Sequence, residues 1–476
     1  KIMNLESFLL MRQEFSLLAV ILLLVIGEIF SNNKKGLVNF AIILFAVHTV
    51  IGFLPLAEGT LFGGSFKTNS LLHLFKSVLN VGVLIIILQS AEWVKEKLAG
   101  EHKSTEFFIL LFASLLGMFY MISSGDFLMF FIGLELSALP VAALVAFETT
   151  KRKSAEAGIK FILSAALASG TSLFGVSMLY ATTGSIYFDQ IAELLTYSNL
   201  SLLGFVFFFA GLAFKISLVP FHFWTADTYE GAPIGVTSYL SVISKGSAVV
   251  ILMIILFNVM KPFDLVTHHM LYIVSLATMF IGNLFALRQQ NMKRFLAFSS
   301  IAQAGFILLG IMSYDQLGAS TVIYFVSIYV FTNLAAFGVV QTISTKTGKE
   351  NIDDYDGLYR TNPNLSLVMM LALFSLAGIP PVAGFFGKFF LFTAAASKGE
   401  YLLVFLAVVN VTISLYYYLL VIRAMFLRKS DNPIPHIKND LMLRLGLFIA
   451  VIGVLVIGLY SPIYEYIYEL SALLTN

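Results

Sequence analysis

The chain has 476 residues, 59% hydrophobic and 12% charged, about half of the roughly 25% charge usual in soluble domains; its mean hydropathy is +0.90 and its net charge only +2. That balance describes an integral membrane protein and excludes the basic surface that a nucleic-acid partner would need. The absence of cysteine excludes disulfides, cysteine-ligated zinc and all-cysteine iron–sulfur clusters from this polypeptide.

Apolar stretches long enough to cross about 30 Å of hydrocarbon recur from end to end. Fourteen spans are expected, at 14–31, 36–55, 70–92, 105–124, 127–148, 155–183, 201–225, 233–260, 268–288, 293–313, 318–345, 365–397, 400–427 and 441–462. No charged leader region or small-residue cleavage site frames the first, so it reads as a retained span and not as a signal peptide. Lysine and arginine gather in the loops after odd-numbered spans, among them Lys34, Lys35, Lys151, Arg152, Lys153, Arg288, Lys293 and Arg294, while few occupy the other side. This bias puts both termini on the outer, periplasmic face. The segment "KTGKENIDDYDGLYRTNPNL" (346–365) is a polar connector too short for a domain. One membrane domain therefore covers 1–476.

Ionisable groups at membrane depth are functional candidates, because each needs a partner or water to be tolerated. Span 1 carries Glu28, span 3 His73 and Lys76, span 5 Glu135, span 6 Glu156 and Lys160, span 7 Lys215 and His222, span 8 Lys245, and span 12 Lys388. By depth the central ones are Glu135, Lys215, Lys245 and Lys388, with Lys160 fairly deep; Glu28 and Glu156 lie near expected ends, where snorkelling is cheap. In "GLELSALP" Glu135 precedes Pro140 by five residues, and in "FKISLVP" Lys215 precedes Pro220 by five. Within a helix each proline would free the carbonyl four residues back, at Leu136 and Ile216, beside the charge.

Span 8 begins "YEGAPIGVTSYLSVISKGSAVV", where Gly231, Pro233 and Gly235 weaken the start and Gly246, Ser247 and Ala248 after Lys245 permit close approach or local unwinding. Span 12 is interrupted in "SLAGIPPVAGFFGKFFLF" by Gly378, Pro380, Pro381, Gly384 and Gly387, just ahead of Lys388. Broken helices that carry charge at mid-membrane are how transporters build their sites. The expected fold is thus an all-α integral membrane protein of about fourteen transmembrane helices, with breaks in spans 7, 8 and 12. Spans 7 and 12 lie five apart, which divides the chain into 1–104 (spans 1–3), 105–260 (first repeat, spans 4–8), 261–430 (second repeat, spans 9–13) and 431–476 (span 14 and tail). An odd number of spans per repeat inverts the second against the first.

One buried Glu–Lys pair serves packing as readily as function. Three deep lysines exceed what one deep carboxylate neutralises, so the surplus must face polar cavities, and a proton relay is the reading that follows. His222, in "PFHFW", reads equally as an interfacial anchor or a relay member. The histidines show no paired ligand pattern beyond the adjacent His268 and His269, and no Gly-rich phosphate loop follows a strand signal, so neither metal nor nucleotide is expected. Any redox chemistry belongs to a partner.

The stretches "FKISLVPFHFWTADTYEGAP" (214–233), "NMKRFLAFSSIAQAGFILLG" (291–310) and "NPNLSLVMMLALFSLAGIPPVAGFFGKFFLF" (362–392) resemble the antiporter-like membrane subunits of respiratory complex I, and the resemblance spans essentially the whole chain. The lysine in "GIPPVAGFFGKF" and the lack of a long C-terminal lateral helix place it nearest to the subunit N branch of that family. The resemblance implies that Glu135 pairs with Lys215, that Lys245 leads toward the centre, that Lys388 ends a horizontal chain near one membrane face, and that Lys160 is a further family lysine. It also implies proton translocation driven by NADH-to-quinone electron transfer in a bacterial inner membrane. Neighbouring antiporter-like and small membrane subunits and a peripheral NADH-oxidising arm would be the partners, with FMN, iron–sulfur clusters and quinone held by them and no cofactor here. Gln303 stands where this branch commonly has histidine, and Ala226 where it has proline, so at those two positions the family pattern does not carry over. The alternative is a subunit of a multi-subunit cation/proton antiporter without redox coupling.

Overall fold

The computed structural model describes residues 8–31, 33–55, 57–98, 103–438 and 440–475. Hydrocarbon offers a backbone no hydrogen-bond partners, so each apolar stretch closes its own bonds as a helix. Among the described residues thirteen helices are long and apolar enough to cross a membrane: Leu9–Phe30, Lys34–Gly52, Ser70–Leu98, Ser104–Ile122, Phe127–Val145, Arg152–Thr183, Asn199–Ile216, Ile234–Asn258, Lys261–Ala286, Met292–Ile311, Gln316–Thr347, Tyr401–Phe426 and Leu441–Leu459. These are spans 1–11, 13 and 14. Span 12 is a pair of shorter helices, Pro363–Ala377 and Ala383–Ser397, so all fourteen expected spans are present. Polar side chains start several of them: Asn69 accepts from the Leu72 N–H, Asp126 from Met129 and Asp315 from Gly318.

Spans 8, 10 and 11 are buried almost throughout and form the axis against which the others pack, while spans 1, 6 and 14 lie at the periphery. Spans 4 and 5 touch backbone to backbone because Gly117 and Gly133 face each other. A Cβ on Gly117 would fall 2.4 Å from the Ser137 nitrogen, and one on Gly133 2.5 Å from the Met121 nitrogen. A two-stranded ribbon, Gly59–Leu61 with Phe66–Thr68, joins spans 2 and 3. After span 14 the chain folds back as a helix, Pro462–Thr475, which sets Tyr464 on the ring of Phe390 with centroids 4.1 Å apart.

The breaks differ from expectation in an informative way. Span 7 does not run to 225: its first helix stops at Ile216, Ser217 takes a left-handed φ of 68°, and a second helix, Phe223–Gly231, follows. Pro220 has no N–H and disfavours helix in the residue before it, so here the helix ends ahead of the proline. In span 5 the corresponding Pro140 is absorbed within the continuous helix Phe127–Val145. Span 8 is not broken either. Gly231 and Pro233 end the preceding helix, and the span runs unbroken from Ile234 to Asn258, widening to a π-helix over Leu240–Ser244 just before Lys245.

Spans 7 and 12 end their first halves alike. Leu218 donates to the Ala213 carbonyl behind left-handed Ser217, and Ile379 donates to the Phe374 carbonyl behind left-handed Gly378. Cis peptides then follow at Val219–Pro220 and Pro380–Pro381.

Candidate functional site

Lys215 sits in the last turn before the span 7 break and is buried. Its Nζ donates to Ser137 Oγ of span 5 at 2.6 Å. Ser137 is held by the close contact of spans 4 and 5, where Ser114 Oγ donates to its carbonyl at 2.9 Å and accepts from Tyr239 OH at 3.1 Å. Beside the amine lies a cavity of about 30 Å³ whose lining includes Ser137, Lys215 and Ser244, enough for a water.

Glu135 is half-buried, with one carboxylate oxygen lacking any hydrogen-bond partner. It lies within electrostatic reach of Lys215, but no ion pair joins the two among the described residues. The contact implied by the resemblance is therefore open here. The reason is helical: residues 135 and 137 point about 200° apart at roughly 100° per residue, so an amine resting on Ser137 faces away from Glu135.

Lys245 follows the π-turn and donates to Ser300 of span 10, at 2.6 Å to the hydroxyl and 3.1 Å to the carbonyl. Lys388 lies in the second half of span 12. Its Nζ donates at 2.7 Å to the Leu376 carbonyl and at 3.4 Å to that of Ala377, both left without helical partners by the break. It also stands 4.8 Å from the centre of the Phe306 ring. Span 10 passes both lysines: Ser300 accepts from Lys245, while a neighbouring stripe of the same helix, Ser299 and Gln303, carries contacts toward Lys388. Ser299, beside Ser300, meets Tyr418 OH at 2.5 Å, and Gln303 Nε2 donates to Tyr418 OH at 3.3 Å. The same amide donates at 3.1 Å to Leu376 O, the acceptor of Lys388. Gln303 is thus a fixed, non-titrating hydrogen-bond donor to Tyr418 and to the span 12 break.

Lys215, Lys245 and Lys388 share one property: each amine is held by hydroxyl or carbonyl oxygens, and none is in contact with a carboxylate. Lys76 of span 3 is the contrast. It is buried in an ion pair with Glu14, also donates to Ser123 Oγ at 2.6 Å, and lies over the rings of Phe66 and Phe119. Glu14 escaped the sequence reading because it falls at the expected edge of span 1. Glu14→Gln leaves a buried ammonium uncompensated and is expected to cost about 3–5 kcal/mol, whereas Glu14→Gln combined with Lys76→Met should recover most of that loss. The melting temperature of the purified, assembled protein checks both.

The remaining candidates separate. Lys160 does not join the row: its side chain is 43% exposed on the flank of span 6, bound to Glu156 at 2.6 Å and Asp227 at 2.7 Å. The helix Arg152–Thr183 begins three residues ahead of the expected start and turns this face of span 6 outward. His222 is buried at the head of the second half of span 7, its Nδ1 without a partner. Among the described residues no group of three or more His, Asp or Glu side chains is placed to hold a metal.

A family model described as "NADH:quinone oxidoreductase/Mrp antiporter, TM" matches residues 124–414. NADH-quinone oxidoreductase subunit N of Phocaeicola vulgatus is 48% identical over 99% of this chain and 100% of that protein. The subunit N of Azobacteroides pseudotrichonymphae is also 48% identical, over 98% of this chain and 99% of that one. A chain of respiratory complex I from Thermus thermophilus superposes with a TM-score of 0.79 at 26% identity, covering 95% of this chain and 98% of that one. A chain of the Mrp complex from a Dietzia species shares the fold, with a TM-score of 0.83 at 21% identity and coverage of 100% and 98%. With nearly half the residues identical from end to end and the family model matched over residues 124–414, this chain belongs to the NADH-quinone oxidoreductase subunit N family.

Proposed function

We propose that this chain is a proton-translocating subunit in the membrane arm of an NADH-quinone oxidoreductase, and that Lys215, Lys245 and Lys388 carry the protons while Glu135 sets the field at the head of the row. The observation that supports this reading most is the set of three buried amines resting on neutral oxygens, with Lys245 on Ser300 of span 10 and Lys388 sharing the Leu376 carbonyl with Gln303 of the same helix. An ammonium locked to a carboxylate keeps its proton. An amine on a hydroxyl beside a water-sized cavity can give it up, which a guanidinium would not.

The energies are of the right order. Moving one charge against about 150 mV requires roughly 3.5 kcal/mol. Bringing a carboxylate up to a buried amine, or withdrawing it, is worth about 1.4–4 kcal/mol. A swing of the unpartnered Glu135 oxygen toward or away from Lys215 is therefore enough to load or discharge the row. Electron transfer from NADH to quinone in partner subunits, which carry FMN, iron–sulfur clusters and quinone, drives that swing. His222, buried at the span 7 break, stands as a secondary relay group, and Lys160 as a surface group facing a neighbouring subunit.

The bias of basic loops supports both termini outside, and the bacterial relatives support a bacterial inner membrane. The matched endings of spans 7 and 12 support two inverted five-span repeats. The test is Lys388→Ala in assembled enzyme reconstituted in vesicles, with protons moved per NADH oxidised as the readout. The ratio is expected to fall with assembly intact. An unchanged ratio returns the row to a scaffold role, and sodium-dependent transport in vesicles lacking an NADH-oxidising partner would make the chain an antiporter subunit instead.

A further inference from the structure

A second buried polar cluster lies outside the row, between spans 9 and 13. Tyr417 OH donates to Asn283 Oδ1 at 2.9 Å, and Asn283 Nδ2 donates to the side chain and backbone oxygens of Asn410 at 2.9 and 3.1 Å. All three are buried. Such a cluster costs desolvation at the flank of a bundle that could have been apolar there. On one side it meets a cavity of about 150 Å³ whose lining includes Gln289, Gln290, Asp353, Arg428 and Tyr417. Those groups come from the loops beyond spans 9 and 13 and from the connector, on the lysine- and arginine-rich face. On the other side the ring of Tyr417 meets that of Tyr418 edge-on, with centroids 4.5 Å apart. Tyr418 is the residue that bridges Ser299 and Gln303. Between Gln303 and Lys388 there remains a cavity of about 10 Å³, also lined by Thr332 and Ser375, which is about the size of one water.

We infer that this cluster is a second proton inlet, which runs from the cavity at Gln290 and Asp353 through Tyr417 and Tyr418 to Lys388 without passing Lys215 or Lys245. The inference rests on the proton-carrying role proposed above for Lys388. The proton balance is simple. A hydronium in the cavity gives its proton to the Tyr417 oxygen and is left as water, while that hydroxyl turns from Asn283 and passes its own proton to Tyr418. Tyr418 passes one through a water beside Gln303 to the neutral Lys388 amine, so each phenol oxygen ends as it began and one proton has moved from the cavity to Lys388. Gln303 carries no proton; it holds Tyr418 and the Leu376 carbonyl in register. Asp353 and Arg428 bind each other across the mouth at 3.0 Å and keep it polar.

The test uses the assembled enzyme in vesicles, with protons moved per NADH and NADH oxidation without a gradient read in parallel. Tyr417→Phe removes the hydroxyl and keeps the ring, and Ala286→Phe fills the cavity wall. Each is expected to lower the proton ratio while leaving oxidation without a gradient at the parental rate. A parental ratio in either variant overturns the inlet. If substitution disturbs assembly, Gln290→Cys plugged afterwards with a charged thiol reagent gives the same reading against the equally treated parent, because this chain has no cysteine of its own. Loss of pumping in Lys388→Ala together with normal pumping in Tyr417→Phe removes the inlet and leaves the pump.

Discussion

Lys215→Arg should yield an enzyme that assembles and oxidises NADH but moves fewer protons per electron pair. The substitution keeps a cation beside Ser137 and within the field of Glu135, so a purely structural charge would be served as well by arginine. What it removes is the power to be neutral, since a guanidinium stays protonated under any cellular condition. Loss of a positioned proton-transfer group typically slows the transfer by about 10²–10⁴-fold, which takes this step below the turnover of the enzyme. The longer side chain must also enter the cavity of about 30 Å³ beside Ser137 and Ser244, displacing any water there. Parallel measurement of dye-reported proton uptake and NADH oxidation checks the result. Normal coupling in Lys215→Arg would mean that this charge never changes and that the row begins elsewhere.

Gly384→Ala is expected to be strongly damaging. A Cβ at this position falls 1.8 Å from the Ser375 carbonyl oxygen and 2.6 Å from its carbon, so the two halves of span 12 must move apart. The Gly384 N–H also donates to Ser375 Oγ at 3.1 Å, and Ser375 Oγ meets Thr332 Oγ1 at 2.9 Å, so the shift breaks a contact to span 11 as well. Overpacking of this kind costs about 1–3 kcal/mol or more. Because Lys388 is held by Leu376 and Ala377, the residues directly after Ser375, the same shift withdraws its acceptors. The expected outcome is a lower melting temperature of the purified complex together with a lower proton ratio in what does assemble. A parental melting temperature and ratio would show that the break is slack, and the tight placement of Lys388 would then lose its basis.

The two substitutions probe different levels of legibility. The fourteen spans were readable because hydrocarbon forces the backbone into helices, and the length of an apolar run is a local property of the chain. That Lys215, Lys245 and Lys388 fall within apolar helices was readable for the same reason, as was the break ahead of Lys388, because proline and glycine act on their own neighbourhood. Their acceptors were not readable. Ser137, Ser300 and the Leu376 carbonyl lie 78, 55 and 12 residues away in the chain, and a serine in an apolar span carries no mark of what will donate to it. The same blindness hid Glu14, Tyr417 and Tyr418, whose partners arrive from other spans. Lys160 and Lys215 looked alike in sequence and ended on opposite sides of the surface, because which face of a helix turns inward depends on what packs beside it. Composition and order alone therefore determined a polytopic helical membrane protein with charged residues inside its apolar helices. The tertiary structure decided which of those charges are locked in ion pairs, as Lys76 is, and which rest on neutral oxygens, since that depends on groups brought together only when distant helices meet.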